Sequence, residues 1–197
     1  MDTAWLQSIS ILMIMTTRWE TPDPALVGLV QQLPIGRALD VGCGGGHDTV
    51  WLAGQGWSVV AVDTSKHAIA ALRKTVTRDS LNATARMEDV TTMAFDSEFD
   101  LVSICYMHLL PRDRELMLNR SISATKPGGT LLFRSFESGI EDPPFDRDLL
   151  PSIDDVVDSL SSRMDVTISR VEDEFFPYMK KEMRLLTVVA VRKKTTD

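Results

Sequence analysis

The sequence predicts an α/β fold on a largely parallel sheet, and three observations carry that prediction. Short β-branched runs alternate with longer helical patterns, a glycine run stands where the first strand pattern gives way to a helix, and no repeat or low-complexity linker breaks the alternation. The 197 residues fit one domain, and a chain of that size buries about 70% of its unfolded surface, so it needs no disulfide or metal staple. With 44% hydrophobic and 25% charged residues it has a globular balance. Its net charge of −7 disfavours polyanionic partners and the nucleic-acid-modifying enzymes. Cys43 and Cys105 lie in apolar, strand-like stretches with no CxxC partner, and read as reduced thiols of a cytoplasmic protein with no metal site.

The elements follow in order. The apolar run at residues 9–15 is far shorter than the roughly 20 residues of a membrane span, and Asp2 stands where a signal peptide carries positive charge. Residues 1–21 therefore read as an N-terminal extension or lid segment, with Met15 an alternative start. After Pro22-Asp23-Pro24, residues Ala25, Leu26, Leu29, Val30 and Leu33 recur at helical spacing until Pro34 and Gly36. Arg37–Val41 is a first strand, and Val50, Trp51 and Leu52 open a helix that Gly54 and Gly56 close. A second strand over Trp57–Val62 ends at Asp63. Ser65 caps a helix with Ala68, Ile69, Leu72 and Val76 on one face. Further strands are expected at Thr84–Glu88 and Phe99–Cys105, then a helix over Arg112–Thr125 stopped by Lys126-Pro127-Gly128-Gly129, and a strand at Thr130–Phe136. The span Glu137–Glu174 carries 12 acidic and 3 basic residues. Pro143-Pro144 marks a loop there, and Val156, Val157 and Leu160 a helix. Strands at Val166–Phe176 and Met183–Arg192 form a hairpin around Pro177. One domain over 1–197 is expected, with residues 137–182 as a substrate-side insertion and hairpin.

The chemistry is concentrated at the strand ends. In Leu39-Asp40-Val41-Gly42-Cys43-Gly44-Gly45-Gly46, glycine serves a turn that needs positive φ and close backbone approach, at the edge where a doubly wound sheet binds ligands. Gly42 and Gly44 match a dinucleotide loop, but His47 stands at its third glycine position. Asp40 would oppose a pyrophosphate at the helix N-terminus and suits a positively charged ligand instead. S-adenosylmethionine carries an ammonium and a sulfonium and no phosphate. Asp63 is placed to accept the ribose hydroxyls of an adenosine. Asp89 can take an adenine amine, with the Val90 backbone amide beside it.

The segments LDVGCGGG, VVAVD, MEDV, FDLVSICYMHLLP and KPGGTLLF resemble, in order, the signature segments of class I S-adenosylmethionine-dependent methyltransferases. The resemblance covers about residues 18–136. The flanking Arg-Trp-Glu-Thr-Pro-Asp-Pro and the terminal Met-Arg-Leu-Leu-Thr-Val-Val-Ala-Val-Arg-Lys-Lys are similar to the small bacterial branch of tellurite-resistance methyltransferases. The resemblance implies a Rossmann-like, doubly wound sheet of seven strands in order 3-2-1-4-5-7-6, strand 7 antiparallel, with helices on both faces. It implies S-adenosylmethionine as cofactor, S-adenosylhomocysteine as product, and cofactor contacts at Asp40, Gly42, Cys43, Gly44, Asp63, Thr64, Asp89, Val90, Cys105 and Tyr106. Gly45 departs from the family, which often has an acidic or polar residue there.

Around that site alternatives stay open. His108 is either a general base or a rim residue packing over the cofactor. Trp19, beside Arg18, either folds over the site as a substrate-binding lid or packs in the core, whereas Trp51 and Trp57 read as core. His47 and His67 have no metal-ligand spacing. Lys180, Lys181 and Arg184 either form a solvated turn or, as the resemblance implies, approach the active site. A soft acceptor atom needs no base, while a hydroxyl or amine needs one, with His108, Tyr106 and Arg184 the catalytic candidates. The expected partner is a small-molecule methyl acceptor, with no nucleic acid and no membrane, in a monomer or homodimer. The competing readings are a non-catalytic cofactor-binding module and a nucleotide-dependent oxidoreductase of the same architecture.

Overall fold

The computed structural model describes residues 21–141, 143, 146–176 and 180–194. Arg18, Trp19, the apolar run at 9–15, Pro144 and Pro177 lie outside the described residues. The first described helix, α1 (Pro24–Val30), begins where Asp23 stays extended and its carboxylate accepts the N–H groups of Ala25 and Leu26 at 2.8 and 3.3 Å. Proline at the first helical position loses an N–H that would have no partner there. The helix stops at Val30, short of Leu33, which still packs against the core.

Then come β1 (Arg37–Val41), α2 (His47–Gly54), β2 (Ser58–Asp63), α3 (Lys66–Arg78), β3 (Ala83–Met87), β4 (Phe99–Cys105), α4 (Pro111–Ala124) and β5 (Thr125–Phe136). A 3-10 turn (Arg147–Leu149), α5 (Ile153–Ser161), β6 (Met164–Phe176) and β7 (Lys181–Arg192) complete the chain. The strands form one seven-stranded sheet, β3-β2-β1-β4-β5-β7-β6. Strands β1 to β5 pair in parallel, and β7 runs antiparallel to both β5 and β6. This is the strand order and the antiparallel position that the sequence resemblance implies.

Helices cover both faces, because alternate residues of each strand point to opposite sides. On one side Ala38, Val59, Leu101 and Leu132 meet Leu26 and Val30 of α1 and Leu52 of α2, with Trp57 buried beside them. Ile69 and Leu72 of α3 pack on Ala61 and Ala85 of the same side. On the other, Leu39, Val60, Val102 and Phe133 meet Met117 and Ile122 of α4 and Val156 and Leu160 of α5. Ser65 caps α3, and Ser152 with Asp155 forms a reciprocal capping box on α5.

Several other boundaries differ from the sequence reading, and two of the differences have a clear physical reason. Helix α2 starts at His47, before its first apolar residue, because left-handed Gly46 turns the chain into it. Strand β5 starts at Thr125 rather than Thr130: Thr125 pairs with Phe99 and Thr130 with Leu101, so Lys126–Gly129 is a bulge inside the strand rather than a gap before it. Lys126 Nζ holds that bulge to the Asp100 carboxylate at 2.9 and 3.0 Å.

Phe133 has no exposed surface and sits mid-sheet. Phe133→Ala is expected to cost about 3–5 kcal/mol, read as a lowered urea midpoint with an unchanged m-value.

Candidate functional site

Parallel strands end at one edge, so the turns after β1, β2, β3 and β4 gather there. After β1 the chain enters the left-handed region at Gly42, φ 74°, and again at Gly44, φ 47°. The N–H groups of Gly42 and Cys43 donate to the Val62 carbonyl at 2.9 and 3.0 Å. The Gly44 N–H donates to Asp63 Oδ2 at 2.9 Å, and Asp63 Oδ1 accepts the Ser65 N–H at 2.7 Å. One carboxylate thus ties the glycine loop to the start of α3. A Cβ on Gly42 would lie 2.0 Å from Met107 Sδ, so the chain beyond β4 leans against this loop, whereas a Cβ on Gly44 would meet nothing within 4 Å. The loop has one filled side and one open side.

Asp40 is 3% exposed and sits under the loop, accepting a hydrogen bond from Thr49 Oγ1 at 2.5 Å. The sequence sets it against a cationic ligand in the crevice; in the structure its field reaches the loop from beneath. Burial, then the charge of Asp48, pushes its carboxyl up to about 7. Asp48, in the first turn of α2, accepts the Asp23 N–H at 2.8 Å, and burial raises its carboxyl to about 6. Asp89 is exposed and accepts from the Thr91 hydroxyl and N–H at 2.7 and 2.8 Å, which hold its carboxyl low. The Val90 side chain is buried, and Thr64 is exposed beside Asp63. Burial also raises the thiols of Cys43 and Cys105, so neither is a ready nucleophile.

Tyr106 follows β4 with φ 56°, a left-handed conformation that a bulky residue rarely adopts. Its phenol donates to Asp23 Oδ2 at 2.9 Å and accepts from Arg134 Nε at 3.3 Å. Burial, then the Asp23 charge, keeps that phenol protonated. Arg134, 2% exposed on β5, also reaches Asp23 Oδ2 at 3.0 Å, Glu172 at 3.2 Å, Glu174 at 2.9 Å and Thr187 Oγ1 at 2.6 Å. Burial works to lower its pKa, but the phenol and the Asp23 carboxylate outweigh that and keep the guanidinium charged.

His108 stacks on Phe136, with ring centroids 5.7 Å apart and planes at 15°. Burial lowers its pKa to about 4, so the imidazole is neutral near neutral pH. Phe136 continues into an apolar wall with Tyr106, Ile140, Leu150, Phe176 and Met183. Arg184 is half exposed, with Nε 3.8 Å from Glu137 and 4.0 Å from Asp173. Lys181 Nζ donates to the Glu141 carbonyl at 2.6 Å, and Lys180 is exposed. Arg184 and Lys181 thus meet acceptors of the segment after β5 and, at Asp173, of the hairpin itself.

The structure therefore brings Asp40, Gly42, Cys43, Gly44, Asp63, Cys105 and Tyr106 to one edge of the sheet, with Asp89 in the turn after β3 at the same edge. Sequence reasoning misses Asp48, Thr49, Met107 and Arg134, and it takes the Asp23 motif only as the start of a helix. The Pro-Asp-Pro cap is visible in the sequence; the 83-residue reach from Asp23 to Tyr106 is not. Among the described residues, no group of three or more His, Cys, Asp and Glu is placed to hold a metal ion, and no helix is long and apolar enough to cross a membrane.

Two measurements follow. Arg134→Met leaves Asp23 as an uncompensated buried charge and is expected to cost about 3–5 kcal/mol in urea unfolding. Because Asp40 titrates higher folded than unfolded, the folded state holds the extra proton between about pH 4 and 7, and stability falls as pH rises through that window. Asp40→Asn is expected to flatten that decline in unfolding curves recorded across it.

Comparison with known proteins agrees with this fold. Residues 38–129 match a family model described as a methyltransferase domain. Thiocyanate methyltransferase 1 of Arabidopsis thaliana is 35% identical over 126 residues, 59% of this chain and 55% of that protein. The chain spans about half the length of the curated relatives it matches. Among solved structures, TehB from Haemophilus influenzae superposes with a TM-score of 0.76 at 18% identity, over 87% of this chain and 62% of that one. The 1,6-didemethyltoxoflavin-N1-methyltransferase of Burkholderia thailandensis, solved with 1,6-didemethyltoxoflavin and S-adenosylhomocysteine, superposes with a TM-score of 0.72 at 20% identity, over 98% and 89%.

Proposed function

We propose that the chain is a class I S-adenosylmethionine-dependent methyltransferase, as its match to a methyltransferase-domain family model supports, and that it methylates a small molecule at a soft atom, a thiolate or a comparable polarisable anion. The observation that carries this reading is the state of the two side chains at the end of β4. His108 is neutral but weakly basic, with its pKa lowered to about 4, and the Tyr106 phenol is kept protonated between Asp23 and Arg134. Neither is suited to take a proton from a hydroxyl or amine near neutral pH. A thiolate brings no proton to remove. The likeness to a thiocyanate methyltransferase supports the same acceptor chemistry.

The residues fit the cofactor. Gly44 leaves open space, and each Asp63 oxygen that accepts a backbone N–H keeps a second lone pair for a ribose hydroxyl. In this reading Asp89 and the Val90 backbone amide take the adenine. When bound, S-adenosylmethionine supplies an electrophilic methyl group on a sulfonium. Everything else is positioning and exclusion of water. Asp40 and Asp48 contribute negative potential beneath the loop, which suits a cationic ligand and opposes a pyrophosphate; this weighs against a nucleotide-dependent oxidoreductase. Residues 137–182 supply the acceptor side, through Ile140, Leu150 and Phe176 of the apolar wall.

Release of S-adenosylhomocysteine, followed with thiocyanate, bisulfide, small alkyl thiols, catechols and primary amines, tests the reading. Soft sulfur acceptors are expected to react at least about tenfold faster. The alkyl-thiol rate should rise with the thiolate fraction toward about pH 8.5, with no separate titration near the usual histidine value. Preference for hydroxyls or amines, with loss of that activity in His108→Ala, would overturn it. Cofactor binding without turnover of any acceptor would favour the non-catalytic module.

A further inference from the structure

We propose that Tyr106 is a positioning residue that aims both walls of the crevice at once, its strained backbone held by the Asp23–Tyr106–Arg134 hydrogen bonds. The inference rests on the methyltransferase reading for its purpose but on geometry alone for its substance. Three observations carry it. Tyr106 holds a left-handed φ of 56° immediately beyond β4, a conformation that persists in a bulky residue only when its surroundings over-determine it. The surroundings do so three times: the Tyr106 N–H donates to the Arg134 carbonyl at 2.7 Å, the phenol donates to Asp23 Oδ2, and Arg134 Nε donates to the phenol oxygen. The two residues that follow then diverge. Met107 lays its thioether against Gly42 on the cofactor loop, and His108 stacks on Phe136 in the apolar wall.

A residue in β conformation at 106 would carry the chain onward along the strand line; the left-handed turn instead leaves Met107 against the glycine loop and His108 on Phe136. The anchor is assembled from elements far apart in the chain. Asp23 precedes α1, Arg134 lies on β5, and Glu172 and Glu174 of β6 hold the outer edge of the Arg134 guanidinium. The Asp23 backbone N–H meanwhile donates to Asp48 at the start of α2. The spacing between the glycine loop and the apolar wall is therefore set by a buried polar network, and a methyl transfer that depends on in-line approach is sensitive to that spacing.

The test uses Tyr106→Phe, which removes only the hydroxyl, and Asp23→Asn, which keeps a competent helix cap. Both proteins are labelled at the methionine methyl groups and histidine rings and compared with the parent by NMR, with and without S-adenosylhomocysteine. The expected result is displacement of the Met107 methyl and His108 ring signals in the unliganded variants, while the methionines away from the crevice keep their positions. S-adenosylhomocysteine affinity, measured by calorimetry, should fall about three- to tenfold. A purely structural role would lower thermal stability and leave the Met107 and His108 signals where they are; that result overturns the proposal, as does unchanged affinity. If Tyr106→Phe does not fold, Asp23→Asn decides by the same signals. Failure of the parent protein to bind S-adenosylhomocysteine would count against the methyltransferase reading, and the signal displacement would then decide the role of Tyr106 by itself.

Discussion

The hydrogen bond from the Gly44 N–H to the Asp63 carboxylate, 2.9 Å long, joins the ends of β1 and β2 and sets the shape of the crevice. A parallel sheet brings its strand ends to one edge, but that alone makes a ragged margin. The bond to Asp63 turns the first of those ends into a cradle, because it holds a left-handed loop open while Gly42 and Cys43 are secured to Val62 behind it. The other Asp63 oxygen starts α3 through Ser65. Loop, strand and helix therefore share one carboxylate. With the loop held in this form, Met107 can close against Gly42 while the side facing Gly44 stays open.

Charge is distributed around this cradle with a consistent sign. Asp40 lies buried beneath it with Asp48 half-buried beside it; burial and the Asp48 charge raise Asp40 to about 7, and burial and the Asp23 charge raise Asp48 to about 6. This is a cost in the unliganded protein that a cationic ligand relieves. At the far side, the charge of Arg134 is matched to Asp23, Glu172 and Glu174. A buried arginine so fully paired is a structural brace rather than an anion receptor. On the side proposed for the acceptor stand aromatic and aliphatic surface and a neutral imidazole. That is a setting in which a soft anion can approach an electrophilic methyl without competition from a basic side chain.

Much of this is legible in the sequence because it is written locally. The strand patterns at residues 37–41, 58–63 and 99–105, the glycine run between strand and helix, and the acid closing the second strand declare the sheet and its ligand edge. The order of the signature segments adds the strand topology and the antiparallel seventh strand, which periodicity does not encode. What stays hidden depends on distance along the chain. Arg134 reads as one polar residue in an apolar strand until the fold brings Asp23, Glu172 and Glu174 to it. Asp48 and Thr49 look like ordinary first-turn residues until β1 places Asp40 beneath them. Tyr106 is legible as a residue at the site, but from the sequence its phenol looks available for proton transfer. Its partners lie 83 and 28 residues away, and only the assembled structure shows that they hold it.

The central claim is that this cradle binds a sulfonium nucleoside and not a dinucleotide. Calorimetric titration of the purified protein with S-adenosylmethionine, S-adenosylhomocysteine and NAD, repeated on Asp63→Ala, tests it most directly. The account predicts binding of the two sulfur nucleosides in the micromolar range, no binding of NAD, and a loss of affinity of at least about tenfold in the variant. Binding of NAD alone, or full affinity retained in Asp63→Ala, would contradict it.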